Sequence, residues 1–169
     1  MAEVEVLTYR ESVAHVGSAL SDWQKEAAII HEFTNPQGMN EKIDERVRLA
    51  NENELSGLKD EFPELARELL VAMPFSSIAA FFVEDKPVSF CYSTCESESL
   101  WDVSIETLPG YQRKGFAECC ARFMIQHMFE KSKQPSWGAL KSNTASLNLA
   151  KKLGFVPVAE LYLFSRPSS

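Results

Sequence analysis

A short polar turn centred on Gly115 has the composition of an anion-binding site. Gln112–Ala117 reads Gln-Arg-Lys-Gly-Phe-Ala and lies between a predicted strand and a predicted helix. The N-terminus of a helix offers backbone N–H groups without internal partners and a positive dipole end, which together suit a pyrophosphate. Gly115 lets the backbone approach such an anion closely, and Arg113 and Lys114 add positive charge. The turn is neither a Walker A loop nor a dinucleotide fingerprint, because it holds one glycine and no Gly-Lys-Ser/Thr sequence.

The elements around this turn have the pattern of a sheet with helices packed on it. Ile78–Val83 and Pro87–Ser93 predict a hairpin, and Leu100–Leu108 predicts a third strand, which Pro109-Gly110 ends. A helix, a strand, a second helix and a last strand are then predicted, in the order Lys114–Lys131, Pro135–Leu140, Asn143–Leu153 and Phe155–Phe164. Ser142 or Asn143 is expected to cap the second helix, and Gly154 to end it.

The first 75 residues predict a helical half of the molecule. Apolar residues recur at helical spacing from Glu11 to Phe33, a second helix is predicted over Glu41–Leu55, and a third begins at Pro63 and ends near Ala72. One short strand, Val4–Tyr9, is predicted before them. No linker is long enough to force a second domain, so we expect one α+β domain over residues 1–169.

Length and charge restrict the class of protein. A chain of 169 residues with 45% hydrophobic content fits one globular domain with one sizeable core. Its net charge of −7 argues against nucleic acid or an anionic membrane as a partner. No apolar run reaches the roughly 18 residues that span a bilayer, and the first ten residues have no leader-like stretch. We therefore expect a soluble, cytoplasmic protein.

The histidines and cysteines predict no metal site. Neither residue type shows ligand spacing or a C-x-x-C pair, and the thiols are expected to be reduced and packed. The residues concerned are His15, His31, His127, Cys91, Cys95, Cys119 and Cys120.

Two segments together resemble the GNAT superfamily of N-acetyltransferases. Gln112, Gly115 and Ala117 occupy the three defined positions of its acetyl-CoA motif, Gln/Arg-x-x-Gly-x-Gly/Ala, which joins a strand to a long helix. Farther along, Trp137–Asn143 resembles the second cofactor-binding strand of the family. The two linked segments lie within residues 76–165, which is the part of the chain that the resemblance covers.

The resemblance implies a GNAT-like acyl-CoA N-acyltransferase fold, a mixed and mostly antiparallel sheet flanked by helices. Residues 76–165 would form the acetyl-CoA-binding core, and residues 1–75 a helical region on the acceptor side. The backbone of Ile105–Thr107 would pair with the pantetheine amides, and the N–H groups of Arg113–Ala117 would hold the diphosphate. The cofactor-binding residues implied are Ile105, Glu106, Thr107, Gln112, Arg113, Lys114, Gly115, Phe116, Ala117, Asn143 and Ser146. The last two also fit a helix cap followed by an ordinary polar residue.

Acyl transfer to an amine calls for a base and an acid. Glu106 is the first candidate for the base, because it lies beside the implied cofactor immediately before the turn, and Asp102 points to the same face. Each also fits an ordinary exposed carboxylate on a strand. Many family members have, where this chain has Ala150, a tyrosine that can protonate the coenzyme A sulfur. Its replacement leaves Ser146, Tyr111, Tyr92 or solvent as the acid.

The function implied is transfer of an acetyl group from acetyl-CoA to a primary amine of a small molecule, peptide or protein. Ala150 in place of tyrosine favours an alternative, a non-catalytic module that binds or senses acyl-CoA. A third interpretation is a helical interaction module joined to a degenerate acyltransferase core. Dimers are frequent in the family, which leaves a homodimer open.

Overall fold

The computed structural model describes residues 5–34 and 42–166. The chain divides into two compact units, the first made of residues 1–34 and 137–169 and the second of residues 35–136. The division falls within strand β8, Gln134–Leu140. Among the described residues, no helix is long and apolar enough to cross a membrane.

The first unit is a sheet with two short helices. Its longest strand, β9, is paired antiparallel with β1 on one side and β2 on the other, and β2 also neighbours β8. The elements are β1 (Glu5–Tyr9), a 3-10 turn (Arg10–Ser12), α1 (Val13–Ala19), β2 (Gln24–Phe33), α5 (Thr144–Lys152) and β9 (Phe155–Ser165). The predicted β8, α5 and β9 are confirmed with small shifts at their ends. Val4, the first residue of the first predicted strand, lies outside the described residues.

The first predicted helix of the N-terminal half is wrong for most of its length. Within Glu11–Phe33 only Val13–Ala19 forms an α-helix, and the apolar residues after it belong to β2. This strand pairs with β9 from one end to the other, with Gln24 opposite Ser165 and Phe33 opposite Phe155. An apolar stretch suits a strand as well as a helix, and here pairing with a distant strand decides between them.

The second predicted helix, Glu41–Leu55, is also wrong. Val47–Leu49 forms strand β3 beside strand β4 (Ala79–Val83), and helix α2 covers only Glu52–Ser56. Asn51 fixes this late start, because its side chain accepts a hydrogen bond from the N–H of Glu54, whose carboxylate accepts one from the N–H of Asn51. Glu41 itself lies outside the described residues. The third predicted helix is confirmed as α3, Pro63–Ala72, with Pro63 in its first turn.

The second unit is built on an antiparallel sheet with the strand order β3-β4-β5-β7. The predicted hairpin is confirmed as β4 (Ala79–Val83) and β5 (Lys86–Tyr92). The two residues between them, Glu84 and Asp85, both have positive φ, at 49° and 66°, as a type I′ turn requires. Strand β7, Ser104–Thr107, pairs with β5 and forms one edge of the sheet.

The predicted strand Leu100–Leu108 is split at Val103. Strand β6, Leu100–Asp102, pairs parallel with the first residues of β8. The N–H of Val103 donates to the carbonyl of Ser136 at 2.9 Å, and from Ser104 onward the chain pairs with β5 instead. The parallel pairing of β6 with the start of β8 therefore ends just before the strand that carries the candidate site.

Helices α3 and α4 lie on opposite faces of the second unit's sheet. Helix α4, Phe116–Glu130, confirms the prediction, and its Phe116 ring stacks on Phe81 of β4 at 4.1 Å. Tyr92 of β5 projects from the other face, where its hydroxyl donates to Glu68 of α3. Successive residues of a strand point to alternate faces, so β5 and β7 each present side chains to both helices.

Candidate active site

Strand β7 presents backbone groups along an open edge. Leu108 just after it donates its N–H to the carbonyl of Val88 at 2.9 Å. Hydrogen bonding alternates along an antiparallel pair, so Ile105 and Thr107 direct their N–H and C=O groups away from β5. The edge can therefore pair with an extended chain of amides, which is the role predicted for Ile105–Thr107.

The turn after β7 is shaped by three residues in the left-handed region. Gly110, Arg113 and Gly115 have φ of 82°, 59° and 84°. The side-chain amide of Gln112 donates to the carbonyl of Thr107 at 3.3 Å, which ties the turn to the end of β7. Residues 112–115 are exposed. The turn thus follows directly on the open edge and faces solvent.

The first turn of α4 has no side-chain cap. Gly115 is its N-cap residue, and a Cβ at this position would meet no atom within 4 Å. The N–H of Cys119 donates to the carbonyl of Gly115, so the N–H groups of Phe116 and Ala117 come before the first intrahelical donor and have no partner within the helix. Open space in front of these amides and the positive end of the helix dipole fit a diphosphate.

Aromatic packing fixes the position of this helix start. The ring of Phe116 stacks on Phe81 with an interplanar angle of 18°. The guanidinium of Arg46 also lies on Phe81, 4.7 Å from the ring centroid. This guanidinium donates two hydrogen bonds, of 2.9 and 2.7 Å, to the carboxylate of Asp44. Because the side chain of Phe116 is held by the protein, the turn needs no ligand to define its conformation.

The start of α5 is satisfied by its own side chains. The Asn143 side chain accepts a hydrogen bond from the N–H of Ser146 at 3.0 Å. The hydroxyl of Ser146 accepts one from the indole N–H of Trp137 at 2.9 Å. Asn143 therefore caps the helix and Ser146 positions the indole, while their predicted contacts with the cofactor remain a prediction.

Glu106 belongs to a group of three acid–base side chains. Tyr92, whose side chain is only 1% exposed, donates its hydroxyl hydrogen to Glu68 at 2.6 Å. Glu106 lies opposite Phe90, two residues from Tyr92 on the same face of β5 and β7. Burial of its carboxylate raises the pKa of Glu106, and the negative charge of Glu68 raises it further. The higher pKa makes Glu106 a stronger base than an ordinary glutamate.

Asp102, the second candidate base, holds the loop after β5. Its carboxylate accepts hydrogen bonds from the hydroxyls of Ser93 and Thr94 at 2.6 and 2.7 Å and from the N–H groups of Thr94 and Cys95 at 3.0 and 2.7 Å. Three of these donors reach Oδ1 and one reaches Oδ2. The structure thus gives Asp102 a structural role, and its predicted catalytic role stays a prediction.

The candidate acids differ in their surroundings. Ala150, at the position of the family's tyrosine, is completely buried. Burial and the hydrogen bond to Glu68 raise the pKa of Tyr92, which makes it a weaker proton donor. Tyr111 in the turn is half-buried, and the Lys114 ammonium lies 5.2 Å from its ring centroid. The raised pKa therefore argues against Tyr92 as the acid, and Tyr111 stays a candidate because of its position in the turn.

Sequence reasoning missed Glu68. The residue lies on a helix, 24 positions before its tyrosine partner, and no local pattern links the two. Its spacing from Glu64 places both carboxylates on one side of α3, which is a signal shared by many exposed helices. Only the packing of α3 on the sheet makes this carboxylate part of the site.

No group of three or more His, Cys, Asp or Glu side chains with the arrangement of a metal site occurs within residues 5–34 and 42–166.

Comparison with known proteins gives one matching family model. Its description is GNAT acetyltransferase, and it matches residues 79–164. The uncharacterized N-acetyltransferase YdfB of Bacillus subtilis strain 168 is 35% identical over 77 residues, which are 46% of this chain and 30% of YdfB. The chain thus spans less than a third of the length of this curated relative.

Solved structures share the fold. A GCN5-related N-acetyltransferase-like protein from Streptococcus suis 89/1591 has a TM-score of 0.73 at 17% identity, over 92% of this chain and 68% of that one. The aminoglycoside N-acetyltransferase AAC(6')-Iy, solved in complex with CoA, has a TM-score of 0.50 at 18% identity, over 65% of this chain and 90% of that one. At these identities the similarity establishes the fold alone.

Proposed function

This chain belongs to the GNAT acetyltransferase family, whose model matches residues 79–164, and we propose that it transfers an acetyl group from acetyl-CoA to a primary amine. One observation carries the proposal. The open edge of β7 is followed, after a short turn, by the uncapped start of α4. Backbone groups that can pair with the pantetheine amides and N–H groups that can bind a diphosphate therefore lie close together in the sequence.

The cofactor half of the proposal rests on backbone groups. Ile105 and Thr107 would exchange hydrogen bonds with the pantetheine amides, and the N–H groups of Arg113–Ala117 would surround the diphosphate. Asn143 and Ser146 are proposed as further contacts. The similar aminoglycoside acetyltransferase was solved with CoA, which agrees with this choice of cofactor.

The chemical half of the proposal assigns the base to Glu106. Its carboxylate takes one proton from the substrate ammonium, which gives the neutral amine that attacks the thioester carbonyl carbon. A C–N bond forms, and the C–S bond breaks with its electron pair on sulfur. Tyr111, Ser146 or water donates a proton to that sulfur and takes up in return the second proton that the nitrogen loses. The raised pKa of Glu106, caused by burial and by Glu68, favours the first proton transfer.

The alternative is a module that binds acyl-CoA without turnover. Two observations favour it. Ala150 is buried at the position where many family members have a tyrosine that protonates the coenzyme A sulfur, and the carboxylate of Asp102 already accepts four hydrogen bonds. Both interpretations require the helix start at Gly115, and turnover separates them.

Titration calorimetry with acetyl-CoA, followed by thiol release with a panel of primary amines, tests the proposal. We expect binding and amine-dependent release of CoA. The Glu106→Gln variant should lower kcat by at least about 100-fold, which is the lower end of the usual contribution of a general base, while the affinity for acetyl-CoA stays within about twofold. Glu84→Gln, in the exposed turn between β4 and β5, is the matched control. Binding without release would establish the sensing module, and absence of binding would overturn both.

A further inference from the structure

A groove opens beside helix α3 on the face of the sheet that carries Glu106. Its volume is about 490 Å³, which is in the range that accommodates small organic molecules. It is lined by Glu64, Arg67, Glu68, Val71, Ala72, Phe75, Ser93 and Thr94.

One wall of the groove is apolar and exposed. Phe75 and Val71 are 83% and 65% exposed, although large apolar side chains are usually covered. Val71 lies in the last turn of α3, and Phe75 lies three residues beyond the end of the helix at Ala72. The backbone of Phe75 is held beside the helix end, because its N–H donates to the carbonyl of Ala72 at 2.9 Å. A flat apolar group of a ligand would cover both side chains.

The opposite end of the groove carries a net negative charge. Arg67 is paired with Glu64 at 2.5 Å, so these two charges balance each other. Glu68 remains, and one of its oxygens accepts the Tyr92 hydroxyl at 2.6 Å. This hydrogen bond comes from a buried side chain, which holds the carboxylate in place while the residue itself stays exposed to the groove.

The negative end of the groove adjoins the proposed base. Tyr92 and Glu106 are diagonal neighbours on one face of the β5–β7 pair, a relation in which Cα atoms are roughly 7–8 Å apart. The charge of Glu68 is one of the two causes of the raised pKa of Glu106, which agrees with this closeness. The floor of the groove is held by Asp102 through Ser93 and Thr94.

We infer that this groove selects the acceptor: it takes a primary ammonium joined by a short link to an aromatic or similarly flat apolar group. The ammonium lies between Glu68 and Glu106, and the apolar group rests on Val71 and Phe75. This inference rests on the proposed acetyl transfer for its reaction, but not for its binding step. Tyr92 acts through Glu68 and is a positioning residue. Anionic amines, such as acidic amino acids, are excluded by charge.

Equilibrium binding of phenethylamine to the whole chain tests the groove without relying on turnover. We expect saturable binding that weakens about tenfold in Glu68→Gln and about as much in Phe75→Ser, since each contact contributes on the order of 1.4 kcal/mol. Ethanolamine, which has the ammonium without the apolar group, should bind weakly, and glutamate should not bind. Glu52→Gln and Leu7→Ser, an exposed carboxylate and an exposed apolar residue elsewhere, are the matched controls.

The role of Tyr92 calls for a double-mutant cycle. Tyr92→Phe should weaken phenethylamine binding severalfold in the wild-type background and should have little effect once Glu68→Gln is present, because the hydroxyl acts only through that carboxylate. Additive effects would mean that the hydroxyl of Tyr92 acts independently of Glu68 and would overturn its role as a positioning residue. Thermal unfolding of each variant checks that the fold is kept.

Turnover then distinguishes the two proposals. Selective acetylation of phenethylamine over ethanolamine, with the preference lost in Phe75→Ser, would support both. Binding of phenethylamine without acetylation would keep the groove and overturn the enzyme. Acetylation of all amines without preference, or phenethylamine binding that neither Glu68→Gln nor Phe75→Ser weakens, would overturn the groove and leave the enzyme.

Discussion

Helices α4 and α5 each follow a strand and each were predicted to contact the cofactor, yet they begin in opposite ways. Helix α4 starts at Gly115, which has φ of 84° and supplies no cap. Helix α5 starts at Asn143, whose side chain accepts the N–H of Ser146. The first helix leaves backbone donors for a ligand, and the second uses a side chain to satisfy one of its own.

This difference predicts that the starts of α4 and α5 have different roles, one in binding and the other in stability. The N–H groups at a helix start need acceptors from solvent or a ligand when no side chain caps them. The uncapped start at Gly115 is therefore suited to binding a ligand. A capped start contributes to stability whether or not a ligand is present. We therefore expect substitutions at α4 to act mainly on cofactor affinity and substitutions at α5 mainly on stability.

The largest effect is expected from Gly115→Glu. A carboxylate about 4 Å from a phosphate costs on the order of 4 kcal/mol near a protein surface, so acetyl-CoA affinity should fall by at least about 100-fold in titration calorimetry. Gly110→Glu is the matched control, because Gly110 has nearly the same φ, 82°, and equally open surroundings. Equal losses in the two variants would show that backbone strain, and not the position of the charge, causes the effect.

A smaller effect is expected at the cations of the turn. Arg113→Ala and Lys114→Ala should each weaken acetyl-CoA binding by about three- to tenfold, because they remove charge near an exposed diphosphate. The loss should shrink as salt is added, and calorimetry at several ionic strengths measures it. Lys59→Ala, which removes an exposed cation elsewhere, is the control. A loss that does not change with salt would contradict an electrostatic role.

At the start of α5 the expected effect is on stability. Asn143→Ala should lower the free energy of unfolding by about 1 kcal/mol, the usual value of an N-cap, as measured by urea denaturation. Asn143→Asp keeps a cap and adds a negative charge, so it should preserve stability. If Asn143→Asp weakened acetyl-CoA binding as strongly as Gly115→Glu, the proposed division of tasks would be wrong.

The smallest change is a displacement of the pH profile. Burial and Glu68 raise the pKa of Glu106, so kcat/KM should fall with decreasing pH at a higher pH than for an ordinary glutamate base. Glu68→Gln removes the charge that favours protonation of Glu106, and the acid limb should then move to lower pH. Acetyl-CoA affinity at the α4 start should not follow this limb, since backbone amides carry no titrating group. An unchanged limb in Glu68→Gln would separate Glu68 from the base.

Local signals made the second half of the chain predictable. Glu84-Asp85 fits a two-residue turn between apolar runs, and Gly154 ends α5 with φ of 93°. In the first half, the start of α3 was also predicted from a local signal, because Pro63 suits the first helical turn. The resemblance located the turn at Gly115, which the structure shows as an uncapped helix start.

Long-range contacts made the rest unpredictable. The apolar residues of β2 pair with β9, whose residues lie more than a hundred positions later, so their local pattern did not decide between helix and strand. The split at Val103 likewise depends on Ser136 in another element. The hydrogen bond between Glu68 and Tyr92 is the third case, since its partners belong to a helix and a strand with no shared period.

The edge of β7 that suits a cofactor also has a cost for solubility. Backbone donors and acceptors along a sheet edge can recruit a strand from another chain, which is a common start of aggregation. Two features of β7 oppose this: the strand is only four residues long, and it carries the negative charge of Glu106, which is only partly buried. A ligand lying along the edge would remove the remaining donors, so acetyl-CoA should slow aggregation on heating beyond its effect on the midpoint of unfolding.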